Sequence, residues 1–272
     1  MCNIGVGLRA EHYSYLEARP QTELKWFEVI SENHLNSRGR PWEILHTMRE
    51  KFPLSFHGVS LNIGSYAPLD FEYLKKLKYM IEVFDPFRVS DHLCFTGVPG
   101  ANIHNLLPLP YNDKTLIHLT EKLDQVQSFL DRPFILENLS AYIDFQESTY
   151  TEWEFIKKLV ERSGCKILLD VNNIYVNAVN HKFDPKIYID HIPKDKIEEI
   201  HLAGYSDMGD FLFDTHSNPV FPPVWDLFSY VIKDLKDVPV LIEWDDDIPE
   251  FARLEAEALK AKKIWESHHA RN

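Results

Sequence analysis

Cysteine is scarce in this chain. Cys2, Cys94 and Cys165 are the only three in 272 residues, an odd number without ligand-like spacing, which argues against both a disulfide framework and a thiolate zinc ribbon. No stretch reaches about 18 consecutive apolar residues, the length a membrane-spanning helix requires. The first residues, Met1-Cys-Asn-Ile-Gly5, lack a basic segment followed by an apolar one, so no secretory signal is expected. These absences predict a soluble cytoplasmic protein with no membrane partner. A basic stripe is missing too: Lys75-Lys76, Lys157-Lys158 and Lys262-Lys263 fall in separate helical stretches, and the formal net charge is -13. Affinity for nucleic acid comes mostly from Lys and Arg contacts to phosphate, so a nucleic-acid partner is disfavoured. Cations held in a cleft would invert the sign only locally.

The hydrophobic fraction of 44%, with 13% aromatic, is ample for a sizeable core. Its arrangement is best seen in Lys166-Ile-Leu-Leu-Asp170, a short apolar run that stops at a carboxylate, with Asn172 and Asn173 directly behind it. This reads as a buried parallel strand handing polar groups to a loop. The same design recurs where apolar runs end at His57, His92, Glu137, His201 and Glu243, and two further strand candidates lie at Ile4-Gly-Val-Gly7 and Trp26-Phe-Glu-Val-Ile30. Between them, apolar residues recur at three- and four-residue steps, as in Leu74, Leu77, Ile81 and Phe84, or Leu116, Leu119, Leu123 and Val126. Pro222-Pro223 is expected to open a helix. The segment up to Pro110 reads as irregular, and the span from Asn177 to Pro193 as poorly periodic with a short helix near Ile187. Eight strand–helix alternations, with no Ser/Gly linker, predict a single TM-free α/β domain over residues 1–272: a TIM (β/α)8 barrel with its site at the C-terminal ends of the strands. A doubly wound open sheet would concentrate its ligand groups at one switch point and is the alternative.

Imidazoles and carboxylates without thiolates suit zinc, iron or manganese. His57, His92, Glu137, Asp170, His201 and Glu243 follow one another at roughly 30–45 residues, about one β/α unit each. Asn173 lies three residues after Asp170, and Asp214 and His216 share one face of an extended segment. Nine candidate ligands are too many for one ion. Glu137 is placed to bridge two metals about 3.5–4 Å apart, so two or three metals are expected. Any one of these histidines taken alone reads as a hydrogen-bonded structural residue; six strand ends of ligand type outweigh that reading, because apolar strands need no polar endings. His12, His46, His118, His181, His191, His268 and His269 read as surface or structural. His34 and His104 lie on the functional side, where solvated loops are favoured over substrate contact. Cys94 reads as a small buried hydrophobe and not as a nucleophile. Asp245-Asp-Asp247 reads as a solvated rim, with Asp245 within reach of the site. No catalytic residue is assigned.

Seven segments carry a resemblance: Phe56-His-Gly-Val-Ser-Leu-Asn62, Val89-Ser-Asp-His-Leu-Cys94, Glu137-Asn138, Leu169-Asp-Val-Asn-Asn173, Ile200-His-Leu-Ala-Gly204, Asp214-Thr-His216 and Ile242-Glu-Trp244. Together they resemble the multinuclear non-haem iron-dependent oxidative enzymes, which include methanobactin biosynthesis enzymes of the MbnB type. The resemblance implies a TIM barrel related to endonuclease IV and to sugar isomerases such as xylose isomerase, holding two or three irons (Fe2+/Fe3+). By similarity to the trinuclear arrangement of endonuclease IV, His57, His92 and Glu137 would hold one metal, Glu137 bridging to a second held by Asp170, His201 and Glu243. Asp214 and His216 would hold a third with Asn173, which stands where the nuclease arrangement has histidine. The implied activity is a four-electron oxidation by O2 of cysteine in a ribosomally synthesised precursor peptide, often with a small partner protein that presents the peptide.

Two other readings stay open on the residues alone. One is a redox-neutral barrel enzyme, a sugar isomerase or epimerase or a phosphoester hydrolase, using zinc or manganese as Lewis acid. The other is a metal-binding protein without catalysis.

Overall fold

Eight parallel strands close on one another in the computed structural model: β1 (Ile4–Gly7), β2 (Trp26–Ile30), β3 (Leu54–Gly58), β4 (Arg88–His92), β5 (Ile135–Glu137), β6 (Lys166–Asp170), β7 (Ile197–Leu202) and β8 (Val240–Ile242). Each pairs with the next in sequence, and β8 returns to β1 through Ile4↔Val240 and Val6↔Ile242. Residues 3–98 and 101–270 are described, without the side chains of Asn102 and His104. Cys2 and the His104 side chain therefore lie outside the described residues. The strands read as unbroken apolar runs because both their faces are covered, one by the barrel interior and one by the helices. The expected TIM barrel is the observed fold.

The helices start and stop where side chains can satisfy their free ends. Asp70 accepts from the amides of Glu72 and Tyr73 to open Phe71–Phe84, and Thr151 and Glu154 form a reciprocal capping box at Glu152–Ser163. Gly164 closes that helix at φ +72°, a left-handed conformation that costs a glycine little. Pro222 opens Pro222–Val231 as the sequence predicts. No helix among the described residues is long and apolar enough to cross a membrane.

Three segments differ from the sequence reading. The stretch before Pro110 is not irregular: Phe95–Val98 and Ala101–Leu107 form an antiparallel pair. A shorter pair, Ser206–Asp207 with Leu212–Phe213, stands in the excursion after β7. The residues behind Asp170 are not a loop, since they open the helix Val171–His181; Pro185–His191 is the short helix expected near Ile187. Asn172, Asn173 and Asn177 are all buried in the first of these, so polar residues occupy part of its inward face. That is why the apolar period was invisible.

Candidate metal centre

Strand register brings the ligand-type side chains together. His92 pairs with Glu137 across β4 and β5, and Asp170 with His201 across β6 and β7. Paired residues of neighbouring strands lie about 4.8 Å apart and point to the same face. Glu243 directly follows β8 and is tied to β7 by its amide, 2.9 Å from the Leu202 carbonyl oxygen.

Two clusters share one carboxylate. The ligand atoms of His57, His92 and Glu137 converge, as do those of Glu137, Asp170, His201 and Glu243, each set lying within 4.8 Å. Glu137 Oε2 is 3.1 Å from His57 Nε2 and 3.3 Å from His92 Nε2. Its Oε1 faces the other way, 3.8 Å from His201 Nδ1. The opposite ring nitrogens are anchored: His57 Nδ1 lies 2.8 Å from Ser90 Oγ, whose hydroxyl donates to the Phe56 carbonyl at 3.4 Å, and His92 Nδ1 donates to the Gly58 carbonyl at 3.1 Å. These partners direct the Nε2 of both rings at Glu137. His201 is held from beneath. Its Nε2 lies 3.2 Å from Glu199 Oε1 and 3.1 Å from Glu28 Oε2, while Nδ1 lies 3.0 Å from Glu243 Oε2.

A third group forms at the rim. His216 Nδ1 is 3.3 Å from Glu243 Oε2 and 3.4 Å from Asp245 Oδ2, and its Nε2 is 2.7 Å from Asp214 Oδ1. Asp245 thus reaches the site from an exposed run, braced by the buried Arg9 guanidinium. Asp214 is fixed by Asn172 Nδ2 at 2.7 Å and by the Ser140 hydroxyl at 3.0 Å. Asn173 donates to the Asn138 carbonyl and lines the same cavity, its Oδ1 left free.

The donor set fits metal. Asp170 Oδ2 and Asn173 Oδ1 are buried with no hydrogen bond, a costly condition for polar atoms, and His57 Nε2 and His216 Nε2 face carboxylate oxygens at 3.1 and 2.7 Å. Two ligands of one ion at about 2.0–2.2 Å stand about 3.0–3.4 Å apart, the range of the His57, His92 and Glu137 separations. Without cations the acids draw protons onto the rings. Burial opposes this at His57, but Glu28 and Glu137 outweigh it and lift the ring to about 10. His201 is raised well above its ordinary value against burial by Glu28 and Glu243, and His216 by Asp214 and Glu243. Asp170 is pushed up by burial and by Glu137. Metal ions would replace those protons.

Of the residues outside the nine candidates, Glu28, Glu199 and Arg9 went unassigned in the sequence. Glu199 stands two residues before His201 on a strand, hence on the same face, and that period was the available signal. His34 is neither on a solvated loop nor at the cavity: it is buried in the helix Glu32–Leu35, its carbonyl accepting from Trp42 Nε1 at 3.0 Å. Cys94 is buried, and burial with Asp91 and Glu137 nearby pushes its thiol well up. The cavity over the clusters, of about 260 Å³, is rimmed by Leu106, Tyr142 and Phe213.

The sequence profile of the RiPP precursor modification enzymes MbnB/TglH/ChrH matches residues 3–266. The chain belongs to that family. RiPPs are ribosomally synthesised, post-translationally modified peptides, so the family is one of enzymes acting on precursor peptides. Among its relatives, a UPF0276 protein of Acaryochloris marina is 44% identical over 268 residues, 98% of this chain and 96% of that protein. A UPF0276 protein of Chromobacterium violaceum is 44% identical over 261 residues, 96% and 94% of the two chains. Among solved structures, endonuclease IV of Thermus thermophilus superposes with a TM-score of 0.63 at 16% identity, over 97% of this chain and 98% of that one. D-psicose 3-epimerase of Clostridium cellulolyticum does so with a TM-score of 0.62 at 12% identity, over 97% and 98%. These two similarities establish the fold alone.

Proposed function

We propose that the protein is a multinuclear iron oxidase of peptidyl cysteine, using O2 to modify a ribosomally synthesised precursor peptide in the cytoplasm with a small partner protein presenting the substrate. The observation that carries this reading is Glu137, whose two oxygens face two separate ligand clusters. His57, His92 and Glu137 would hold one ion; Glu137, Asp170, His201 and Glu243 a second; Asp214, His216 and Asn173, joined by Asp245, a third. When bound, iron supplies thiolate ligation and the redox capacity for a four-electron oxidation in which O2 is reduced to two waters. The chain's own residues do the remaining work. Ser90 and the Gly58 carbonyl orient His57 and His92, and Glu199 orients His201. Buried strand ends exclude water from the inner clusters, while the rim admits a chain segment. Exposed Phe211 and Phe213 beside Tyr142 offer apolar contact to a peptide or its presenting partner.

The test is elemental analysis and Mössbauer spectroscopy of protein purified anaerobically from iron-57 medium, followed by incubation with a cysteine-containing precursor, its partner and O2. Two or three irons per chain and an O2-dependent change in peptide mass are expected. Zinc or manganese in their place, with full activity under anaerobiosis, would move the assignment to redox-neutral isomerase or hydrolase chemistry.

A further inference from the structure

A second cavity, of about 320 Å³, lies behind the loop that follows β5. Residues 139–144 are the wall between the two cavities: Leu139, Ser140 and Tyr142 line the metal cavity, and Ala141, Ile143 and Asp144 line the other. The wall is pinned by Asn177, whose Nδ2 donates to the Leu139 carbonyl and whose Oδ1 accepts the Ala141 amide, each at 2.7 Å.

The second cavity joins aromatic walls to a carboxyl group without a counter-ion. Tyr111, Tyr150, Trp153 and Phe183 line it together with Glu152. One Glu152 oxygen receives Asn177 Nδ2 at 3.3 Å; the other, Oε1, is buried. Tyr188, from the helix Pro185–His191, directs its buried hydroxyl at the same carboxyl group. Lys158 covers the Tyr150 ring at 5.0 Å but does not line the cavity. With no cation facing it, burial pushes Glu152 up to about 8, which Tyr188 and Asn177 only partly offset. An anion entering here would meet Glu152 and Asp144, the latter already 3.4 Å from His181 Nδ1 at the same cavity, and a purely apolar group would leave Glu152 without a counter-ion. Aromatic faces around one desolvated carboxylate suit an ammonium or guanidinium group, and the net charge of -13 draws cations toward the chain.

We infer that this cavity receives a basic side chain of the precursor peptide, its cation paired with Glu152 and its stem held between the aromatic rings. Only the peptide as the source of the cation rests on the function proposed above; the cation site itself does not. A residue seated here would lie across one thickness of chain from the metal cavity, so the site would set which cysteine of the peptide enters that cavity.

The experiment uses the full-length protein, metal-free and metal-loaded, titrated with n-pentylammonium and with its neutral isostere hexan-1-ol, read by Trp fluorescence and saturation-transfer NMR. Saturable binding of pentylammonium in both preparations is expected, at least about 10-fold tighter than hexan-1-ol and weakened about 10-fold in Glu152→Gln, the loss of one charge-assisted contact. Equal binding of the two probes, or unchanged binding in a folded Glu152→Gln, overturns the site. Ile143→Lys, at an exposed lining position, places a tethered ammonium at the cavity and should abolish pentylammonium binding; unchanged binding in it also overturns the site. A precursor with its basic residues replaced by norleucine should bind at least about 10-fold more weakly, and unchanged binding would overturn the peptide as the source. If pentylammonium binds as expected while no precursor is ever modified, the cation site stands and the oxidase reading falls.

Discussion

His201 presents Nε2 to Glu199 Oε1 across 3.2 Å inside the barrel, which leaves Nδ1 as the nitrogen facing Glu243 and Glu137. Glu199 is itself steadied by the Ser55 hydroxyl at 3.3 Å. A carboxylate behind a ligating imidazole fixes its ring and strengthens it as a donor, and its loss commonly costs about 10–100-fold in metal affinity. Glu199→Leu should weaken metal binding by that factor in a chelator competition, whereas Glu199→Gln, which keeps an acceptor oxygen, should retain most of it. Equal affinity in the Leu variant and wild type would remove Glu199 from this role.

Glu137 serves two clusters and Asn173 at most one. Glu137→Ala should therefore lose more than one metal equivalent per chain, and Asn173→Ala no more than one, both by elemental analysis of folded protein. The same metal content in the two variants would contradict the shared-carboxylate assignment.

Burial lowers His34 to about 4, only partly opposed by a backbone contact at Pro41. The unfolded chain, with an ordinary imidazole near 6.5, then binds more protons than the folded one between those values. Stability associated with neutral His34 is complete above about pH 6.5 and is lost as the pH falls toward 4. Urea unfolding at pH 7 and pH 4.5 should show wild type losing up to a few kcal/mol more than His34→Asn over that interval; parallel losses would discount His34.

Cys94 and Cys165 are both buried, and burial pushes both thiols up, Cys165 to about 11. Thiols rather than thiolates are poor nucleophiles. Neither should be alkylated by iodoacetamide in the native protein, and Cys94→Ala should keep its metal content. Labelling of Cys94 at the rate of a free thiol would reopen the question of its reactivity.

The barrel was readable because six of the eight buried strands are apolar runs cut short by a ligand-type residue: His57, His92, Glu137, Asp170, His201 and Glu243. What stayed hidden has specific causes. Glu28 lies within a strand, where both faces are buried and no alternation separates inward from outward residues, and Glu199 is marked only by its two-residue step from His201. Three buried asparagines masked the helix Val171–His181. The approach of Asp245 to His216 depends on a backbone contact between distant segments, the Asp245 amide lying 2.8 Å from the His216 carbonyl, which no local spacing encodes. The pair Phe95–Val98 and Ala101–Leu107 shifts register between Phe95 and Gly97, and a bulge of that kind breaks the two-residue period.

Asp170 is at once the last residue of β6, the N-cap of Val171–His181 and a member of the second cluster. One of its oxygens accepts the Asn173 amide at 2.5 Å, and the other faces the cavity unbonded. A single carboxylate therefore caps the helix with one oxygen and offers the other to the cluster. With metal held there, fraying of that first turn and departure of the ion would be one equilibrium, and amide hydrogen exchange at Asn173 would report how full the centre is without any spectroscopic signal from the metal itself.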